Sequence, residues 1–141
     1  MDRAAPGRWM TPALLAIAGA GIVISGYLTI THLSSLPLVC TVNSVVNCAS
    51  VTHSAYSVVP GTSIPISVLG IAWFAILGAL SLSAQRRLQL GWTALGLLVV
   101  VYLVYVEIVM LHQLCEWCTV LHLLIVTSLI VTIRRLQLES R

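Results

Sequence analysis

Four cysteines, at positions 40, 48, 115 and 118, are the residues of this 141-residue chain best suited to chemistry. Two of them form a C-x-x-C pair inside "HQLCEWCTVLH", residues 112–122, with a histidine on either side and strongly apolar sequence beyond. At a helix N-terminus, unpaired backbone N–H groups and the helix dipole stabilise a thiolate, the nucleophile of disulfide exchange. The same stretch offers zinc ligand types in Cys115, Cys118, His112 and His122. In a third reading Cys115 and Cys118 are small buried apolar side chains, and a Cys40–Cys48 bridge merely staples a loop.

Choosing among these requires the elements that carry the cysteines. The chain is 59% hydrophobic and 8% charged, with a mean hydropathy of +1.03, against about 25% charged residues in soluble domains. This is the composition of a membrane protein, and spans of about 20 apolar residues divide it into about four helices. The apolar runs predict spans over 11–31, 65–83, 91–111 and 118–133, with an outer loop over 32–64 and a single domain over 1–141. The expected fold is an all-α, polytopic four-helix bundle with a lid loop. The fourth run reaches a plausible length only if its helix starts at the cysteines, which puts C-x-x-C in the first turn. A signal peptide ending at the Ala-Gly-Ala of 18–20 is disfavoured, because the apolar run continues for ten more residues.

Orientation follows from arginine, since the chain has no lysine. Arg3 and Arg8 precede the first span, Arg86 and Arg87 separate the second from the third, and Arg134, Arg135 and Arg141 follow or end the fourth. All seven cations fall on one side, which the positive-inside rule makes cytoplasmic. Both termini are then cytoplasmic, the +3 net charge reflects topology, and nothing points to nucleic acid. The expected location is the cell (inner) membrane, with all four cysteines on the extracytoplasmic side, where disulfides persist.

The outer loop contains no charged residue and is rich in valine, which suits a lid on the bundle better than disorder. Asn47 is placed to cap a short helix running through Tyr56, Pro60-Gly61 marks a turn, and Ser63 with Pro65 resembles a helix start. The metal reading would need His112 to converge with the others across a helix break, and would leave Cys40 and Cys48 without a role. The redox reading employs both pairs on one oxidising face. Cys118 lies three residues further into its helix than Cys115, about 4.5 Å deeper. Cys115 then faces the lid and Cys118 the bilayer, where a lipid-soluble electron acceptor would meet it first.

With these features in place, the sequence resembles the vitamin K epoxide reductase family, including bacterial homologues that oxidise disulfide-forming enzymes. The resemblance spans the whole chain: four spans, "CTVNSVVNC" in the outer loop, Ser54 six residues after its second cysteine, "GTSIPISVLG" opening the second span and C-x-x-C opening the fourth. It implies that Cys40 exchanges with a thioredoxin-fold partner, that Cys48 exchanges with Cys115, and that Cys118 reduces a quinone, menaquinone or ubiquinone. Ser54 would help to hold the lid and its cysteines. The DsbB type of quinone-linked protein carries its pairs in the opposite order. Many bacterial relatives have a fused thioredoxin-like domain, whereas this sequence ends at Arg141, so a separate extracytoplasmic thiol protein of the DsbA type is the expected partner.

Two positions depart from the family pattern. Vertebrate-type members bind quinone carbonyls through an asparagine near the start of the second span and a tyrosine four residues after C-x-x-C. Here those positions are Ile66 and His122, so epoxide reduction does not follow from the resemblance. His122, one turn below Cys118, either donates to a quinone oxygen or makes a polar contact to a neighbouring Ser or Thr. Glu107, an acid inside the third span, is a candidate cofactor-binding residue, with snorkelling or protonation as the plainer account. His53 and His112 read as interfacial residues. Gly19, Gly21, Gly26, Ala72 and Gly78 read as close-packing positions.

Overall fold

The computed structural model describes residues 7–141, so Arg3, part of the one-sided arginine set, lies outside the described residues. The elements are α1 (Met10–Ser34), α2 (Cys48–Thr52), a 3₁₀ turn (Ala55–Ser57), α3 (Ile66–Leu82), α4 (Arg86–Tyr105) with a π-helical end (Val106–Leu111), and α5 (Glu116–Glu139). No strand occurs among the described residues, only two isolated bridges. Among the described residues, three helices are long and apolar enough to cross a membrane: α1, α4 with its π-helical end, and α5. The fourth apolar helix, α3, has 17 residues.

Helix ends follow local chemistry. Ser35 takes a left-handed conformation after α1, and Pro37, which lacks an N–H, keeps the following chain out of helix. Pro65, with extended backbone, precedes α3 directly. It is the N-cap residue, which puts the helix start where Ser63 with Pro65 suggested. Asn47 caps α2 as expected, its Oδ1 accepting from the Ser50 N–H at 3.1 Å. That helix stops at Thr52 instead of running through Tyr56: the Ser54 hydroxyl donates to the Val51 carbonyl at 2.8 Å, and the chain re-forms as a 3₁₀ turn. Gly61, at φ 79°, makes the turn after Pro60, closed by Thr62 N–H to Val59 O at 3.0 Å.

Three of the helices run longer than the apolar runs suggest, whereas α3 falls just inside its run. α4 starts at Arg86 instead of 91, and α5 continues to Glu139 instead of stopping near 133. The reason is a polar cluster that lets charged residues stay helical. Arg135, mostly buried, donates to Ser81 O at 3.2 Å, while Glu139 pairs with Arg135 at 3.5 Å and with Arg86 at 3.2 Å. This cluster joins the end of α3, the start of α4 and the end of α5. The cysteines lie at the other end of α4 and α5.

α1 packs on α3 and α5, and α4 packs on α5 and α3. The main core gathers Met10, Leu14, Phe74, Leu77 and Val131. Gly21 admits the Phe74 ring, which a methyl group there would overlap, and Gly78 faces Ala18. Gly19 and Gly26 meet nothing, so the packing role expected for them does not hold. Two glycines not singled out do carry it: Gly70 lies against Ser25, and Gly96 against Trp73 and Ile125.

Candidate functional site

The loop is joined to the α4–α5 turn by a short parallel bridge between Val46 and Leu114. Asn47 N–H donates to Leu114 O at 2.9 Å, and Leu114 N–H donates to Val45 O at 2.8 Å. This register brings Cys48, just after Asn47, against Cys115, just after Leu114. Both side chains are fully buried, in one cluster with Val51, and Cys40 and Cys118 pack against it. All four cysteines, distant in sequence, therefore share one site. Cys40 and Cys48 form a disulfide, and Cys115 and Cys118 are free thiols.

C-x-x-C begins one residue ahead of the helix proper. Cys115 is the N-cap of α5, with extended backbone, and its Sγ accepts from the Cys118 N–H at 3.3 Å. Its carbonyl accepts from the N–H and the hydroxyl of Thr119, both at 2.9 Å. Hydrogen bonding from the Cys118 side chain and backbone holds the Cys115 thiol below its ordinary pKa, against the opposing effect of burial. The backbone share of this lowering is the helix-N-terminus effect expected for a reactive cysteine; the larger share comes from the Cys118 thiol.

Cys118 does not simply face the bilayer. It lines an apolar cavity of about 400 Å³ between the helices and the loop, within the size range of ligand pockets. α5 contributes Cys118 and His122, α3 contributes Ile66 and Trp73, and Glu107 and Ser54 complete the lining. Ile66 and His122, the two positions that depart from the family pattern, thus face the same space. Trp73 is held by stacking on Trp92, whose Nε1 donates to Trp73 O at 3.1 Å, and by the gap at Gly96.

His122 is buried and makes no protein hydrogen bond among the described residues, so of its two readings the polar contact to a Ser or Thr is not formed. Glu107 does not snorkel. It is 4% exposed, and its Oε2 accepts from the Cys115 N–H at 3.4 Å. Ser54 lines the cavity, but its hydroxyl donates to the Val51 carbonyl and not to a cysteine. His112 is exposed in the left-handed turn after the π-helical end, and His53 is exposed and stacks on His32 at 5.3 Å. No three His, Cys, Asp or Glu side chains among the described residues are placed to hold a metal ion.

A quinone fits this cavity by its chemistry. The walls are apolar, the Trp73–Trp92 pair supplies flat surface, and the unshared groups are ones a carbonyl oxygen can use. Besides His122, Ser25 Oγ and Trp73 Nε1 are buried without a partner, and both residues line the cavity. An unmet buried donor costs about 1–3 kcal/mol, which a ligand acceptor can offset. Sequence reading missed Ser25 and Trp73, since a serine and a tryptophan within apolar spans look like packing residues. It also missed Tyr27, Glu116 and Trp117, which anchor the loop around Cys40.

A search of curated proteins found no match. A family model described as the vitamin K epoxide reductase family matches residues 12–133. The chain, with its apolar membrane helices and two cysteine pairs, belongs to that family.

Proposed function

We propose that this protein is a four-span membrane thiol:quinone oxidoreductase. It reoxidises a thioredoxin-fold partner of the DsbA type on the extracytoplasmic side and passes the electrons to a membrane quinone. The observation that carries this reading is the placement of Cys48 against Cys115, with Cys118 lining the apolar cavity. α3, with 17 residues, sits at the lower limit of about 17–25 for a membrane-spanning helix. The one-sided arginines support cytoplasmic termini.

Each residue has a stated task. Partner thiolate attacks Cys40, the cysteine of the disulfide that retains exposed surface, and Cys48 departs as a thiolate. The second partner thiol resolves the mixed disulfide. Cys48 then attacks Cys115 of an oxidised Cys115–Cys118 pair, Cys118 departs, and Cys40 closes on Cys48 while Cys115 is released. Each exchange breaks one S–S bond and forms one. Closing the Cys115–Cys118 bond again releases two electrons and two protons, and a quinone supplies the oxidant by accepting both. His122 holds or donates a proton at the cavity, Glu107 fixes the Cys115 backbone, and Ser54 holds the C-terminal end of α2, the helix whose first residue is Cys48.

Purified protein supplied with dithiothreitol and a soluble quinone should reduce the quinone catalytically, and Cys115→Ser should lose this activity. Quinone reduction no faster than in the absence of protein would refute the function.

A further inference from the structure

The chain around Cys40 lies outside any helix or turn, and its hydrogen bonds fall on alternate residues, the pattern of an extended segment held along one edge. Val39 N–H donates to the Tyr27 hydroxyl at 3.0 Å, Val39 O accepts from Trp117 Nε1 at 2.8 Å, and Thr41 N–H donates to Glu116 Oε2 at 3.4 Å. Tyr27 and Trp117 brace each other edge-to-face at 5.4 Å. In extended backbone, the N–H and C=O of one residue point to the same edge, and those of its neighbour to the other. The groups of Leu38 and Cys40 therefore point away from the anchored edge, and neither residue has a backbone hydrogen-bond partner among the described residues. Side chains alternate too: Leu38 and Cys40 pack on the cysteine cluster, while Val39 is 77% exposed and Thr41 is exposed. Pro37 bounds the segment on one side, and the turn in which Asn43 Oδ1 accepts from Val45 and Val46 bounds it on the other.

We propose that Leu38–Thr41 is an open β-edge, and that a thiol-bearing protein pairs its own extended backbone there across Cys40. The occupant is a protein because the open groups are a backbone donor and acceptor flanking a disulfide sulfur. Pairing along an exposed edge supplies affinity through main-chain hydrogen bonds, and the outward side chains supply selectivity. Here those side chains are uncharged, with Leu36, Val42 and Val45 exposed beside Val39, so the facing surface of the partner is apolar. Pairing also sets the approach: a partner cysteine beside the adjoining strand meets Cys40 Sγ, the Cys40–Cys48 bond breaks, and Cys48 leaves toward Cys115. The anchored edge keeps the strand from moving when that bond opens. This inference rests on the proposed role of Cys40 as the cysteine attacked from outside.

The test uses the full-length Cys48→Ala protein in lipid nanodiscs, joined through Cys40 to thioredoxin lacking its second active-site cysteine. The comparison sample has Cys40 capped with glutathione. Amide hydrogen exchange at Cys40, read by NMR, should slow at least tenfold in the thioredoxin adduct relative to the glutathione adduct, while Thr41 exchange is unchanged between them. Equal Cys40 exchange in the two adducts would overturn the proposal. Protection of Cys40 already present in the glutathione adduct would also overturn it, assigning the edge to lipid or to a second copy. Quinone reduction driven by dithiothreitol, which needs no docked protein, reports separately on the proposed function.

Discussion

The backbone N–H of Cys115 donates to the side-chain oxygen Oε2 of Glu107 at 3.4 Å, across the turn that joins α4 to α5. The same glutamate uses its carbonyl to accept from Gln113 N–H at 3.1 Å. One residue of the π-helical end therefore positions both the turn and the N-cap cysteine. A π-helical stretch often marks a functional site, and here it turns an acid inward to the redox pair.

This relationship predicts a difference between two substitutions. Glu107→Gln keeps an oxygen acceptor for the Cys115 N–H, whereas Glu107→Ala leaves that N–H unmet, at a cost of about 1–3 kcal/mol. Thermal unfolding should show Glu107→Ala clearly destabilised and Glu107→Gln close to the parent. Equal losses would mean that the hydrogen bond does not position Cys115.

His122 should matter to one half-reaction only. A positioned acid–base group contributes about 10²–10⁴-fold, so His122→Ala should slow quinone reduction by about 10²-fold. Reduction of the Cys40–Cys48 disulfide by a reduced thiol protein should stay close to the parent rate, since that exchange takes place at the loop disulfide and not at the cavity that His122 lines. Stopped-flow measurement of the two half-reactions separates them, and unchanged quinone reduction would leave His122 a packing residue.

Gly96 provides a test of the cavity wall. A methyl group there would press on the Trp73 ring and on Ile125, and such overpacking costs about 1–3 kcal/mol. Gly96→Ala should raise the KM for quinone, with little change in the reduction of the loop disulfide. An unchanged KM would place the quinone elsewhere.

Topology can be read by labelling. In a variant lacking Cys48, Cys40 should react with a membrane-impermeant thiol reagent applied to intact cells. A cysteine introduced at Gln85 in a cysteine-free background should react only after permeabilisation. Labelling of position 85 in intact cells would reverse the orientation.

Much of the fold was legible because a bilayer imposes simple rules. Apolar runs located the helices, and four cysteines in so apolar a chain drew attention to the site. The ends of α4 and α5 were missed because hydropathy stops at charge, whereas Arg135 and Arg86 stay helical through their shared pairing with Glu139. The Val46–Leu114 bridge, which sets Cys48 on Cys115, joins residues 68 positions apart by backbone atoms alone, and side-chain types carry no trace of it. The inward turn of Glu107 depends on a π-helical end that no residue pattern announced. Gly19 and Gly26 looked like packing glycines because composition shows what could approach and not what does.

The relay from the loop pair to C-x-x-C is the central claim, and Cys118→Ala tests it most directly. Without Cys118, the Cys115 thiolate has Cys48 as its buried neighbour to attack. The S–S bond then moves from Cys40–Cys48 to Cys48–Cys115, and Cys40 leaves as a free thiol, so no added oxidant is needed. Mass-spectrometric peptide mapping of the alkylated, non-reduced variant should find the Cys48–Cys115 bridge as the main species, with Cys40 alkylated. An intact Cys40–Cys48 bridge with Cys115 alkylated, or a Cys40–Cys115 bridge, would contradict the account.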